Sequence, residues 1–238
     1  MRKIMITNDD GIEADGIVRL ARAAKEFGEV WVIAPAMQSS AASHSITLRH
    51  SIEVHPHDFC VEGVKVYSSS GTPADCVRLA CRSIIPGGPD VVLSGINYGY
   101  NMASDIQYSA TAGAAFEAEF QGRLAIAFSE DFGETHEVTD RYLREVIAEV
   151  LEEEYVRGQI INVNFPGCSL NEFKGILRGR RVSRLAYYDD SYNVLKRFPD
   201  GGMELMVEGR HDPVIEEGSD YAAVLGGYIS IGRVNNIG

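Results

Sequence analysis

At 238 residues, 45% hydrophobic and 24% charged, the chain is long enough for a full α/β core and has the composition of an ordinary globular domain. Its 34 acidic and 22 basic residues give a formal net charge of -12, which argues against a duplex nucleic-acid binder, since that needs a basic stripe. The four cysteines form no CxxC pair, no apolar run reaches membrane-spanning length, and the N-terminus enters a strand without room for a signal peptide; free thiols, a cytoplasmic location and no membrane partner are expected.

Residues 2–7 read as a buried strand that stops abruptly at Asn8, Asp9, Asp10 and Gly11. In an open parallel sheet, ligands bind beyond the carboxyl ends of the strands. Two adjacent carboxylates placed there repel each other, and a hard divalent cation with oxygen ligands relieves the repulsion. A polar turn accounts for the same four residues, since Asp-Gly is a common turn pair and Asn and Asp often cap helices. Residues 15–27 carry Ile17, Leu20, Ala21, Ala24 and Phe27 at helical spacing, with Gly28 as the stop. Residues 29–34 are the next strand, completing a β-α-β unit with a right-handed crossover. Pro35 then opens a loop with four serines, Ser39, Ser40, Ser43 and Ser45, leaving the same sheet edge as the aspartates.

Residues 47–55 and 64–69 read as strands, paired as a hairpin. At 71–75, GTPAD predicts a helix start: Thr72 caps, Pro73 takes the first position and Asp75 the first turn. Such an N-terminus also offers N–H groups to an anion. Residues 90–94 form a further strand, ending in Gly95, Ile96, Asn97, Tyr98 and Gly99. Ser109 and Thr111 open an Ala-rich helix to about Phe120, as caps or as hydroxyls facing a ligand. A strand at 124–129, a helix at 137–155 and a strand at 159–165, the last of the core, complete an α/β, Rossmann-like, mostly parallel sheet flanked by helices. Beyond Gly175 the pattern changes. Residues 178–184 are basic and β-prone, 194–198 and 203–207 flank a Pro-Asp-Gly-Gly turn, and 221–231 read as extended. This C-terminal β-hairpin and extended appendage, about 176–238 beside a core of about 1–175 in one domain, is expected to pack on another subunit, because an exposed apolar hairpin is an edge liability.

Five segments, ITNDDGI at 6–12, SSAASHSIT at 39–47, GTPADCV at 71–77, LSGINYGYN at 93–101 and DIQYSATAGAAFEA at 105–118, resemble the SurE family of survival-protein nucleotidases in content and order. The terminal SDYAAVLGGYISI is similar to the family's closing segment. The resemblance implies a Rossmann-like, metal-dependent phosphatase of nucleoside monophosphates, assembled as a homodimer or homotetramer. It implies one divalent ion per subunit, Mg²⁺ or Mn²⁺, held by Asp9, Asp10, Ser40 and Asn97. Ser40 is chosen over Ser39 because the family's serine lies four residues before its HS histidine, here His44. Asn101, Ser109 and Thr111, with Asn97, would contact the phosphate. The chain departs from the family at Ala36, where an acidic residue is usual, at Ser39, where arginine is usual, at Tyr98, where a basic residue is frequent, and at Ala110 in place of glycine.

The implied reaction is hydrolysis of a 5′-nucleotide, with 3′-nucleotides and polyphosphate as further substrates. Asp9 and Asp10 would fix the ion, and one of them would orient or deprotonate the attacking water. An aspartyl-phosphate intermediate suits an Asp-x-Asp spacing; the adjacent aspartates favour direct attack by water. His44 reads as a loop anchor or a general acid, Tyr98 and Tyr100 as base-stacking or core rings, and Cys76 as core. No GxGxxG follows the first strand and no GKS or GKT loop exists, which speaks against dinucleotide and P-loop binding. A non-catalytic nucleotide-binding or regulatory protein on the same fold is the alternative.

Overall fold

The computed structural model describes residues 1–133, 135–211 and 214–237. Strand β1 (Lys3–Thr7) leads through helix α1 (Asp15–Ala24) to β2 (Glu29–Pro35). Then come β3 (Val54–Pro56), β4 (Lys65–Ser69), α2 (Pro73–Leu79), β5 (Val91–Tyr98), α3 (Ala110–Phe120), β6 (Leu124–Glu130), α4 (Glu137–Val150) and β7 (Gln159–Asn164). The C-terminal part holds β8 (Gly175–Leu177), β9 (Tyr188–Arg197), β10 (Met203–His211), α5 (Asp220–Leu225) and β11 (Tyr228–Asn235).

Nine strands form one sheet in the order β3-β4-β2-β1-β5-β6-β7-β11-β8. The six strands β4, β2, β1, β5, β6 and β7 run parallel. The strand order turns back at β1, which has β2 on one side and β5 on the other. That crevice is the topological switch point, where such sheets bind ligands. Alternation along β1 builds two cores, one on each face of the sheet. Ile4 and Ile6 pack with α1 and α4, and Met5 packs with α2 and α3. Helix α3 opens with six small residues (Ala110–Ala115), so it lies close under the sheet, and it buries even Glu117 and Glu119.

Several elements differ from the sequence expectation. Helix α1 ends at Ala24 rather than 27, and the turn after it lets Gly28 lie against the Arg2 carbonyl, where a Cβ would come within 2.3 Å of the oxygen. Residues 47–53 form no strand, and only Val54–Pro56 pairs, antiparallel to β4. The N–H groups there go to side chains instead: Thr47 donates to the Asp75 carboxylate (3.0 Å) and Glu53 to Ser70 Oγ (2.9 Å). Helix α4 stops at Val150, short of 155, where Glu152, Glu153 and Glu154 would crowd the negative end of the helix dipole.

The C-terminal region divides differently as well. Strand β7 is not the last of the core: β11 adds antiparallel to it and β8 parallel to β11. Residues 220–225 are helical rather than extended, because Ser219 Oγ accepts the Ala222 N–H (3.1 Å) and starts α5. The basic stretch after β8 is not a strand; it bridges Arg181 to Ser219 and is tied to the fold by the Arg180 N–H to the Ile231 carbonyl (3.1 Å) and the Ser183 N–H to Asp220 (2.9 Å). The predicted hairpin exists as a separate two-stranded sheet, β9 and β10, which exposes Tyr192, Leu195, Leu205 and Met206.

Candidate active site

Thr7 and Ser94 are partners in the register of β1 and β5, so the chain beyond each strand leaves the sheet at the same level. Asp9 and Asp10 follow β1, and Asn97 lies at the end of β5. The turn after β1 is clamped by Asn8, whose amide donates to the Gly11 carbonyl (2.8 Å). Gly11 takes a φ of +102°, which L side chains rarely adopt.

Asp9 is buried. Its Oδ1 accepts the Thr111 hydroxyl proton at 2.5 Å, and the Thr111 backbone N–H also supports the charged carboxylate, so Asp9 sits at the positive end of α3. Burial dominates nonetheless, with the Asp10 charge adding to it, and the Asp9 pKa is raised to about 6. Asp10 is more open; its pKa is also raised by burial, against the pull of bonds from the Tyr98 N–H (3.0 Å) and Gln38. Among the described residues no Lys, Arg or His pairs with either aspartate, whereas other buried carboxylates such as Glu117 and Glu130 do have basic partners.

Asn97 donates its amide N–H to the Gly99 carbonyl (2.7 Å), which turns its oxygen toward Thr111 Oγ1 (3.5 Å). Ser40 lines the same cleft and is tied to the pair through Gln38, whose amide donates to Ser40 Oγ (2.9 Å) and reaches Asp10 (3.5 Å). The four expected ligands therefore share one cleft, with two carboxylates and two neutral oxygens as the donor set. Among the described residues no third Asp, Glu, His or Cys joins them. That set suits a hard oxygen-seeking cation rather than zinc or copper.

The loop carrying Ser40 is held in an uncommon backbone shape. Ala41 and Ser43 have φ of 57° and 52°. Ser39 N–H donates to the Asp9 carbonyl (2.7 Å), Ser43 N–H to the Tyr108 carbonyl (3.0 Å) and Ser43 Oγ to the Gln107 carbonyl (2.7 Å). Gly113 of α3 makes room for it, since a Cβ there would fall 2.6 Å from the Ser43 oxygen. His44 bonds Glu117 of α3 (2.9 Å) and stacks on Phe120 (5.6 Å between centroids), which makes it an anchor of this loop. Bonds from His44, Gln121 and Arg78 outweigh the burial of Glu117 and lower its pKa.

The remaining expected residues occupy different settings. Ser109 lines the cleft and caps α3 by accepting the Ala112 N–H (3.0 Å). Thr111 is fully buried and spends its proton on Asp9. Asn101 lines the cleft, but its side-chain amide donates to Ser129 (2.8 Å), and its backbone is fixed by Asn162 and Asn164. Cys76 is core, with its thiol pKa pushed up to about 12 by burial. Tyr100 accepts the Gly167 N–H at its hydroxyl (2.8 Å), whereas Tyr98 is half exposed.

Sequence reasoning missed Gln38, the Asn162–Asn164 pair and the ring residues Tyr108, Phe132, Tyr187 and Tyr188. The asparagines had a signal, since polar residues alternating inside a buried strand need partners. Tyr187 and Tyr188 had none, because they reach the cleft from a segment distant in sequence. The cleft itself has a volume of about 400 Å³, within the range that accommodates small-molecule ligands.

A family model described as survival protein SurE matches residues 4–188. The 5′-nucleotidase SurE of Brucella canis is 34% identical over 239 residues, an alignment covering 96% of this chain and 90% of that protein. The 5′-nucleotidase SurE of Brucella abortus (strain S19) aligns with the same identity and coverage. Among solved structures, the SurE protein from Aquifex aeolicus superposes with a TM-score of 0.83 at 33% identity, covering 99% of this chain and 94% of that one.

Proposed function

The chain belongs to the SurE family, and on that premise we propose that it is a 5′-nucleotidase, hydrolysing the phosphate monoester of nucleoside monophosphates with a divalent metal held by Asp9, Asp10, Ser40 and Asn97. The observation that carries the reading is the adjacent, partly buried aspartate pair at the sheet's switch point, with no Lys, Arg or His paired to it among the described residues and an asparagine oxygen turned inward. Burying a carboxylate without a counter-charge is costly, and a bound cation removes that cost. When bound, Mg²⁺ or Mn²⁺ supplies Lewis acidity and neutralises phosphoryl charge.

The chain's own residues supply the rest. Thr111 fixes the Asp9 carboxylate through its hydroxyl and backbone N–H, and the Tyr98 N–H fixes Asp10. Beside holding the ion, one of the two aspartates orients or deprotonates the attacking water in this reading. Ser109 and the first turn of α3 offer a hydroxyl and a positive dipole end to the phosphate oxygens. Asn101, anchored to Ser129, forms the neighbouring wall. The exposed apolar residues of β9 and β10 support assembly into a homodimer or homotetramer through the hairpin.

Phosphate release from 5′- and 3′-nucleoside monophosphates and from polyphosphate, measured on metal-stripped protein and after adding Mg²⁺ or Mn²⁺, tests the reading. Metal-dependent release that falls by at least about a hundredfold in Asp9→Asn is expected. Absence of release from every substrate with either metal overturns it. Retained nucleotide binding would then favour a non-catalytic nucleotide-binding role.

A further inference from the structure

A second cavity, about 380 Å³ in volume, lies away from the switch point and shares no lining residue with the aspartate cleft. It sits where β7 meets β11, and β6 separates β7 from the strand that carries Asn97. Buried Ile161 of β7 and Ile231 of β11 give it an apolar floor. The end of α4 supplies Glu149 and, just beyond it, Glu153. The facing wall is the basic segment 178–181, which lies directly on β11. The Arg180 N–H donates to the Ile231 carbonyl (3.1 Å), and a Cβ at Gly232 would collide with the Arg180 carbonyl. Four arginines, Arg178, Arg180, Arg181 and Arg233, therefore line one cavity in a chain of net charge -12, against two carboxylates in the same lining. Among the described residues the aspartate cleft has no Lys, Arg or His in its lining.

Three of these side chains are held in place by acceptors. Glu149 takes two N–H groups of Arg178, one of them at 2.7 Å. Arg233 bonds Glu153 (2.6 Å) and the Glu154 carbonyl (3.1 Å) through Nη2. Arg181 bonds Glu216 (3.2 Å) and the Glu217 carbonyl (2.9 Å) through the same nitrogen of its own fork. Each contact uses only part of a guanidinium's donors. Arg180 donates its Nε–H to the Arg178 carbonyl (3.1 Å), and among the described residues no carboxylate lies within ion-pair distance of its guanidinium. An ion pair open to water holds weakly, so these forks can be shared with an incoming anion. A monocarboxylate would offer only what Glu149 and Glu153 already provide. A phosphate dianion has the charge to compete with them, several oxygens to bridge neighbouring forks, and a geometry that guanidinium groups match. We propose that this arginine cavity binds a phosphate dianion, free or as the end of a small phosphate ester, at a site apart from the aspartate cleft. The proposal is independent of the nucleotidase reading.

Isothermal titration of the full chain in EDTA, with inorganic phosphate and with phenyl phosphate, tests it; the chelator keeps any ion in the aspartate cleft from holding the anion. Saturable one-to-one binding of at least one of the two is expected. Arg180→Gln and Arg233→Gln should each weaken it by about tenfold. Arg144, an exposed residue of α4 paired with Glu26, is outside the lining, so Arg144→Gln removes the same charge and should change binding by less than about twofold. Tighter binding of phenyl phosphate assigns the site to an ester that uses the isoleucine floor, and equal or tighter binding of inorganic phosphate assigns it to the free anion. Hydrogen–deuterium exchange on the wild type needs no variant: the bound anion should slow exchange at residues 178–181. The proposal is overturned by any of four results: no saturable binding of either anion, no loss in the two cavity variants, an equal loss in Arg144→Gln, or slowed exchange confined to residues 8–11 and 109–113.

Discussion

Asp9 carries the sharpest conflict between burial and charge in the cleft. Its pKa rises from 3.8 to about 6, chiefly by desolvation. The folded state therefore binds its proton more tightly than the unfolded chain does. Stability from this group is full below pH 3.8 and is lost as pH rises through about 6. A shift of that size corresponds to roughly 3 kcal/mol in the metal-free protein at neutral pH and above. Asp9→Asn, which keeps an acceptor for Thr111, should raise the thermal midpoint of metal-stripped protein at pH 8, and the gain should vanish below pH 4. Calorimetry across that range checks both the sign and the window. Adding Mg²⁺ to the wild type should raise the midpoint more at pH 8 than at pH 5, because metal and proton compete for the carboxylates. An equal shift at both values would place the ion elsewhere.

At the scale of elements, two helix starts hold the site in opposite ways. Helix α2 begins with a complete capping box. Thr72 Oγ1 accepts the Asp75 N–H (3.1 Å) and Asp75 accepts the Thr72 N–H (3.0 Å). Asp75 also accepts the Thr47 N–H, tying the end of the serine loop to the helix. Thr72→Ala should cost about 1 kcal/mol in denaturant unfolding. Asp75→Ala should cost more, about 2–3 kcal/mol, because it also strands the N–H of Thr47. Helix α3 holds the loop by absence of a side chain. Gly113→Ala would press a methyl on the Ser43 carbonyl and push the loop that carries Ser40. About 1–3 kcal/mol of destabilisation is expected, together with weaker metal binding by titration. Unchanged metal affinity would mean that the loop position is irrelevant to the ion.

At the scale of the molecule, the sheet and the hairpin are separate sheets joined by a cluster of packed tyrosine rings. Tyr187 packs edge-on against Tyr188 (4.5 Å) and Tyr221 (5.2 Å), and Tyr187 and Tyr188 also line the cleft. The hairpin ends are paired, Tyr188 opposite His211. Replacing residues 190–209 with a short turn should therefore leave the fold and its far-ultraviolet circular dichroism largely intact. Light scattering should then report a smaller assembly than the full-length chain gives. An unchanged mass would move the interface to another surface.

Local chemistry made much of this protein legible in sequence. Buried runs such as IMIT and VVLS have no stable alternative to central strands, and the Thr72-Pro73-Asp75 start and the Pro-Asp-Gly-Gly turn state their own geometry. The grouping of Asp9, Asp10, Ser40 and Asn97 followed from placing them at strand ends and from the family resemblance. What escaped depends on partners far along the chain. Residues 47–53 look like a strand, yet the Asp75 carboxylate and the Ser70 hydroxyl take two of their N–H groups. The closing segment becomes α5 and then β11 because the Ser219 cap starts a helix and β7 offers a free edge. The contact of the Thr111 hydroxyl with Asp9 is likewise set by the fold, where a buried charge needs donors. Periodicity and capping are encoded within a few residues and can be read there. Which hydrogen bonds satisfy a given backbone group, and which rings meet in a cleft, is decided only when tertiary packing removes water from them and leaves the nearest partner as the remaining choice.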